Sequence, residues 1–118
     1  MSCESNEYIL KRGEVGSRLE FELNDKDGPV NLNGWTVTMT VQRGSDAPVI
    51  DDAACVLLPN QATTDKGKGY FQFNSTTANI AVGRYNLEFK GVTPSLAVYY
   101  FPKQFREPYA RLQVIDPL

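Results

Sequence analysis

The chain contains no histidine. That removes Ser-His-Asp and Cys-His nucleophile systems, most catalytic zinc sites and the usual general base near neutral pH. Long apolar runs are also missing: no stretch approaches the roughly eighteen residues of a membrane-spanning helix. A basic excess is absent. Twelve Lys and Arg stand against fourteen Asp and Glu, a net charge of −2, so nothing supplies the electrostatic term of nucleic-acid binding. Cysteine is scarce, with Cys3 in the leading segment and Cys55 inside an apolar run. The first residues, MSCESNEYILKRGE, lack an apolar core followed by small residues and do not read as a secretory signal: either synthesis and assembly are cytosolic, or a signal has been cut away and replaced by a Met. Two cysteines in a cytosolic product predict free thiols rather than a bridge.

What is present points to strands. The 118 residues predict one domain, with residues 1–7 as an N-terminal tail. Such a chain buries roughly two-thirds of its extended surface, enough for a core without metals or disulfides. Thirteen aromatics, six of them Tyr, suit β structure or a contact surface.

The clearest pattern lies between Lys11 and Val41. After a short strand over Tyr8–Lys11, the segment Ser17–Asn24 alternates. Leu19, Phe21 and Leu23 point one way, and Arg18, Glu20 and Glu22 the other, the period of two of a strand with one dry face. Asn24 to Pro29 is dense in turn formers. From Trp35 to Gln42, Trp35, Val37, Met39 and Val41 share a face, opposite threonines that suit strands better than helices. Val49–Leu58 reads as a looser strand with a bulge at Asp51-Asp52. Gly69–Asn74 and Gly83–Lys90 alternate again, the latter with Tyr85, Leu87 and Phe89 inward. Ser75–Ala81 is rich in Thr and Asn and predicts no more than a turn or two of 3₁₀ helix. Gly91–Ser95 reads as a hairpin turn, Leu96–Phe101 as its return strand and Tyr109–Ile115 as the last strand. About eight short strands with a turn every ten residues or so predict an all-β chain. The expected arrangement is an antiparallel, immunoglobulin-like β-sandwich, with a small closed barrel as the competing architecture.

Candidate chemistry is thin. Asn24-Asp25-Lys26-Asp27-Gly28 opens like a calcium loop, but its acids are wrongly spaced and no Glu follows at the required distance. A hairpin turn is the expectation. Glu20 and Glu22 share a strand face in the manner of a glycosidase pair, and Arg18 beside them makes a charged outer face the better reading. Lys66-Gly67-Lys68-Gly69 is too short for a phosphate loop. Asp51-Asp52 reads as a solvated bulge. Trp35 reads as a core anchor ahead of a sugar-stacking platform. No catalytic residue, metal or cofactor is expected.

The segment Tyr99 to Tyr109 stands out. It holds five aromatics, two prolines and three charged residues within eleven positions. Alternation buries only about half the side chains of a strand, so some of these aromatics are expected at the surface, where aromatics and Arg mark interfaces. Tyr99, Tyr100, Phe101, Phe105, Arg106 and Tyr109 are the candidate partner-binding residues. Closure of one end of the sandwich is the structural alternative.

The order of signals carries a resemblance. It runs K-R-G-E, a strand, N-D-K-D-G-P-V-N-L-N-G, the W-T-V-T-M-T-V strand, V-I-D-D-A-A-C-V, G-K-G-Y-F-Q-F, V-G-R-Y-N-L-E-F and Y-F-P-K-Q-F-R-E-P-Y-A-R-L-Q-V. From Lys11 to Ile115 this resembles the N-terminal domain of upper baseplate proteins of tailed bacteriophages and related immunoglobulin-like virion proteins. The resemblance implies a bacteriophage structural protein, a docking module of the tail or baseplate, or of neck or head. Other phage structural proteins in a multi-copy assembly would be its partners, and it would reside in the virion after synthesis in the host cytoplasm. It supplies no catalytic residues. The family often joins this domain to a long helical or trimeric part, which these 118 residues do not contain. A carbohydrate-binding module aiding host attachment, with a glycan as ligand, is the alternative. It requires a coplanar exposed aromatic patch including Tyr99, Tyr100 or Trp35.

Overall fold

The period-two alternation is carried directly into burial. In β9 (Gly83–Val92) the side chains of Tyr85, Leu87 and Phe89 are buried while Arg84, Asn86 and Glu88 between them are exposed. The computed structural model describes residues 6–101 and 110–117. Before β9 come β1 (Asn6–Lys11), β2 (Arg18–Glu22), β3 (Asn24–Asp25), β4 (Gly28–Pro29), β5 (Thr36–Gln42), β6 (Ile50–Ala54), β7 (Val56–Leu57), β8 (Lys68–Gln72) and a 3₁₀ turn at Thr77–Asn79. After it come β10 (Val98–Phe101) and β11 (Ala110–Ile115). The described residues are thus all-β apart from that single turn, which falls inside the stretch expected to be 3₁₀. The count exceeds the expected eight because β3, β4 and β7 are two-residue pieces.

A larger sheet has the order β1-β11-β9-β5-β6, with β10 also paired to β9; a smaller one has the order β2-β8-β7. Both feed one core. The smaller sheet contributes Leu19, Phe21 and Phe71; the larger contributes Val37, Met39, Val41, Tyr85, Leu87, Phe89, Leu112 and Val114. Phe21 of β2 meets Phe89 of β9 with ring centroids 4.5 Å apart, which ties the sheets together. Fully burying a side chain of this size is worth about 1.5–3 kcal/mol.

One pairing departs from the expected antiparallel scheme. β1 runs parallel to β11, in register from Asn6↔Ala110 to Lys11↔Ile115. The two strands come from opposite ends of the chain and no local turn joins them, so neither antiparallel hairpin geometry nor a turn residue announces the pair.

The acidic bulge occurs where it was expected. Met39 pairs with Ala53 and Val41 with Ile50, so Asp51 and Asp52 together oppose Thr40. Asp52 takes a φ of 51°; its N–H donates to Thr40 Oγ1 at 3.2 Å, and Thr38 Oγ1 donates to its Oδ1 at 3.3 Å. Directly after it the chain changes sheets. The N–H of Cys55 donates to the Val37 carbonyl at 3.0 Å, and the next residues join β8 as β7.

On the edge of β9 that does not face β5, two strands follow each other. β10 covers Phe89–Val92 and β11 covers Gly83–Asn86. They form a single strand line broken opposite Leu87 and Glu88.

Candidate functional site

Among the described residues of the aromatic segment, the exposed ones lie on the hairpin from β9 to β10. Tyr99 is 44% and Tyr100 49% exposed, with Val98 at 47% beside them. Phe101 differs: at 4% exposure it is a core residue, because it pairs with the inward-facing Phe89. Its ring is unavailable to a partner, so it leaves the candidate surface. Phe105, Arg106 and Tyr109 lie outside the described residues.

Local chemistry makes the hairpin tip rigid. The Thr93 N–H donates to the Ala97 carbonyl at 2.9 Å and the Leu96 N–H to the Thr93 carbonyl at 2.9 Å. Ala97 N–H donates to Thr93 Oγ1 at 3.0 Å, and that hydroxyl also pairs with Ser95 Oγ at 3.0 Å. A Cβ on Gly34, which has a φ of +80°, would come within 3.1 Å of Pro94 Cγ, so the preceding loop braces the tip. At the tip, Leu96 has a φ of 70° and is 78% exposed. A left-handed backbone costs an L-residue roughly 1–2 kcal/mol. A large apolar side chain held there in water gains nothing from the fold that repays the cost.

Trp35 sits behind this surface. It is half-buried, and its ring stacks on Tyr99 with centroids 5.6 Å apart and planes at 27°. It also lies across Gly91, where an added Cβ would stand 2.8 Å from Trp35 Cε3. Gly91 is the register partner of both Tyr99 and Val37. The missing side chain therefore makes the seat for the indole, and Trp35 with Tyr99 closes one end of the core. Trp35 is thus an anchor, as the alternation implied, and one ring face of Tyr99 is spent on it.

The remaining motifs have structural explanations. Asn24 to Pro29 forms a hairpin of β3 and β4 in which the Asp27 N–H donates to Asp25 Oδ1 at 2.8 Å, so the Asp25 carboxylate is engaged by the turn itself. Glu20 and Glu22 face outward with Arg18, whose guanidinium lies 4.1 Å above the Tyr70 ring. A shallow recess of about 390 Å³ is lined by these residues with Lys68 and Leu58. In the Lys66–Gly69 stretch, Gly67 lies where a Cβ would be 2.7 Å from the Leu23 carbonyl, and Gly69 where one would be 2.6 Å from the Val56 carbonyl. Both glycines permit close backbone approach. Among the described residues, no three His, Cys, Asp or Glu side chains are grouped to hold a metal ion, and no helix is long and apolar enough to cross a membrane. Cys55 is a free thiol, and burial pushes its pKa up to about 12.

Gln61 escaped sequence reasoning. It is 3% exposed, the single buried polar side chain among the described residues. Its Oε1 accepts from the N–H groups of Leu32 at 3.1 Å and Gly67 at 2.9 Å; its Nε2 donates to the carbonyls of Leu58 at 3.0 Å and Lys68 at 2.9 Å. All its hydrogen-bonding capacity goes to the backbone, so it is a structural cross-link. A lone Gln in a polar connection carries no periodic signal that distinguishes it from its exposed neighbours.

In comparisons with known proteins, no family model, no curated protein and no solved structure matches this chain.

Proposed function

We propose that this chain is an immunoglobulin-like sandwich serving as a docking module of a tailed-bacteriophage virion, in the tail or baseplate, or in the neck or head. Two features support the sandwich. Two sheets enclose one core and the chain crosses between them at Cys55. In addition, Tyr85 near the start of β9 donates its hydroxyl to the carbonyl of Ala81, four residues upstream, at 2.6 Å, as in the tyrosine corner of that fold class. The ordered series of turns and strands from Lys11 to Ile115 supports the virion assignment.

The observation that carries the docking role is the β9–β10 hairpin. It holds Leu96, Val98, Tyr99 and Tyr100 in water on a hydrogen-bonded frame. Aromatic and apolar side chains pre-positioned in this way bind protein surfaces at small entropic cost. Copies presented by a ring or lattice gain avidity, so each contact can be weak. The stacking of Trp35 on Tyr99 favours this reading over glycan binding, which needs both rings open side by side.

Mass spectrometry of purified virions tests the assignment. The chain is expected among the particle proteins in a fixed multiple-copy ratio. Its absence from particles, with the chain present in the producing cells, would overturn the assignment.

A further inference from the structure

We propose that Asn33 is a site of spontaneous covalent modification: its side-chain amide is lost through attack by the backbone nitrogen of Gly34, and the product displaces Trp35 from its seat. The inference stands apart from the docking reading and does not depend on the chain's partner.

The residue pair supplies the chemistry. The Gly34 nitrogen closes a five-membered ring on Asn33 Cγ, and glycine, which lacks a Cβ, leaves that approach unhindered. In the closing step the Gly34 nitrogen gives its proton to hydroxide, the N–Cγ bond forms, the Cγ–Nδ2 bond breaks and ammonia leaves. Water then opens the succinimide at either carbonyl. One product is an aspartate in the normal main chain. The other is an isoaspartate, whose main chain runs through Cγ and is longer by one carbon.

Asn33 is the asparagine best placed for this reaction. It is the only one in the chain that precedes a glycine, and both residues of the pair are exposed. The Asn33 N–H donates to Asn31 Oδ1 at 3.0 Å. Among the described residues, neither the Asn33 side-chain amide nor the Gly34 N–H is hydrogen-bonded. Asn74, which precedes a serine, is the contrast. Its Oδ1 accepts from the N–H groups of Thr76 and Thr77, each at 2.9 Å, and from Thr77 Oγ1 at 3.1 Å, so its amide is held by the turn.

Local structure sets the rate. The Trp35 N–H donates to the Leu32 carbonyl at 3.0 Å and Gly34 has a φ of +80°, while Asn33 keeps a negative φ. Residues 32–35 therefore form a type II turn, in which the ψ of Asn33 is extended, and the turn must open before the Gly34 nitrogen reaches Cγ. A single backbone hydrogen bond closes the turn and both central residues face water, so this opening is local and needs no global unfolding.

The surroundings decide what the product does. Leu32 is fully buried and its N–H is bonded to Gln61 Oε1 at 3.1 Å, so it does not yield. The extra carbon of the isoaspartate is taken up on the other side, by Gly34 and Trp35. Trp35 is seated over Gly91 and stacked on Tyr99, and a shift there uncouples the indole from Tyr99. The aspartate product keeps the normal main chain and leaves the seat in place.

Timed incubation of the full chain in mildly alkaline buffer, sampled by peptide mapping and Trp35 fluorescence, is the test. Asn33 is expected to convert before Asn74 and before every other asparagine, with isoaspartate among the products. The Trp35 emission maximum should shift to the red in step with the isoaspartate fraction. Asn33→Gln lengthens the side chain so that the five-membered ring cannot form, and should abolish both changes. Asn33→Asp adds the charge without the longer main chain and should start from the unshifted spectrum.

An Asn33 that stays intact in the folded chain, or that converts only in urea, overturns the site. So does earlier conversion of Asn74 or another asparagine. Isoaspartate at residue 33 with an unchanged spectrum overturns the link to Trp35, as does a red shift that persists in Asn33→Gln. None of these outcomes bears on whether virions contain the chain, so failure here and failure of the virion assignment are separable.

Discussion

The Oε1 of Gln61 accepts a hydrogen bond from the N–H of Leu32 at 3.1 Å across a separation of 29 residues. This contact and its companions fix the turn-rich connection before β8 against the loop that leads to Trp35 and β5. The Trp35 N–H donates to the Leu32 carbonyl at 3.0 Å and the Trp35 ring backs Tyr99, so the polar cross-link connects through Leu32 to the residue behind the docking surface.

Gln61→Ala is expected to destabilise the chain by on the order of 3 kcal/mol or more, because several buried backbone groups lose their partners together. Gln61→Met, of similar length but without the amide, should cost nearly as much. Urea denaturation followed by Trp35 fluorescence measures both. A loss below about 1 kcal/mol would show that water replaces the amide.

Gly91→Ala should cost about 1–3 kcal/mol by overpacking, since the new methyl would meet the Trp35 ring at 2.8 Å. It should also move the indole off Tyr99. The chain's one tryptophan makes this visible as a change in emission maximum and in near-ultraviolet circular dichroism. An unchanged spectrum with unchanged stability would contradict the seat described for Trp35.

Much of this surface was legible in the sequence, and its limits have physical causes. Alternation in β2, β5 and β9 assigned the inward faces correctly because each strand has one wet side. The bulge at Asp51-Asp52 was legible because two adjacent acids interrupt that alternation. Phe101 was not separable from Tyr99 and Tyr100, since three aromatics in a row hide the parity that places the first and third on the core side of β10. At the end of the strand, Tyr99 then meets Trp35 over a glycine instead of entering the core. The parallel β1–β11 pair and the Gln61 cross-link are long-range, and neither leaves a trace in neighbouring residues.

Tyr85→Phe removes a hydroxyl that donates to Ala81 at 2.6 Å and accepts from Arg43 Nη2 at 2.9 Å. The expected loss is about 1–3 kcal/mol, as for a part-buried group whose partners include a charge. Arg43→Lys should recover little, because the Arg43 guanidinium also lies 4.9 Å from the centroid of the Tyr85 ring and a lysine does not reproduce that planar contact. Thermal denaturation of the two single variants and the double variant gives the coupling.

Cys55 predicts an alkaline limb in stability. Burial raises its pKa from the ordinary 9.0 to about 12, so the folded chain holds the thiol proton more tightly than the unfolded chain does. The contribution is fully present below pH 9.0 and is lost as pH rises from there toward 12. In a Cys3→Ser background, denaturation midpoints should fall over that range, and less steeply in Cys55→Ala. Alkylation of Cys55 at neutral pH should be slow in the folded chain and fast in urea. Equal rates in the two states would contradict the burial.

The most direct measurement is a particle map that resolves this subunit in the virion. The account predicts multiple symmetry-related copies, each with Leu96, Val98 and Tyr100 covered by a neighbouring subunit. A map in which those side chains face solvent in every copy, with the chain held by another surface, would contradict the account.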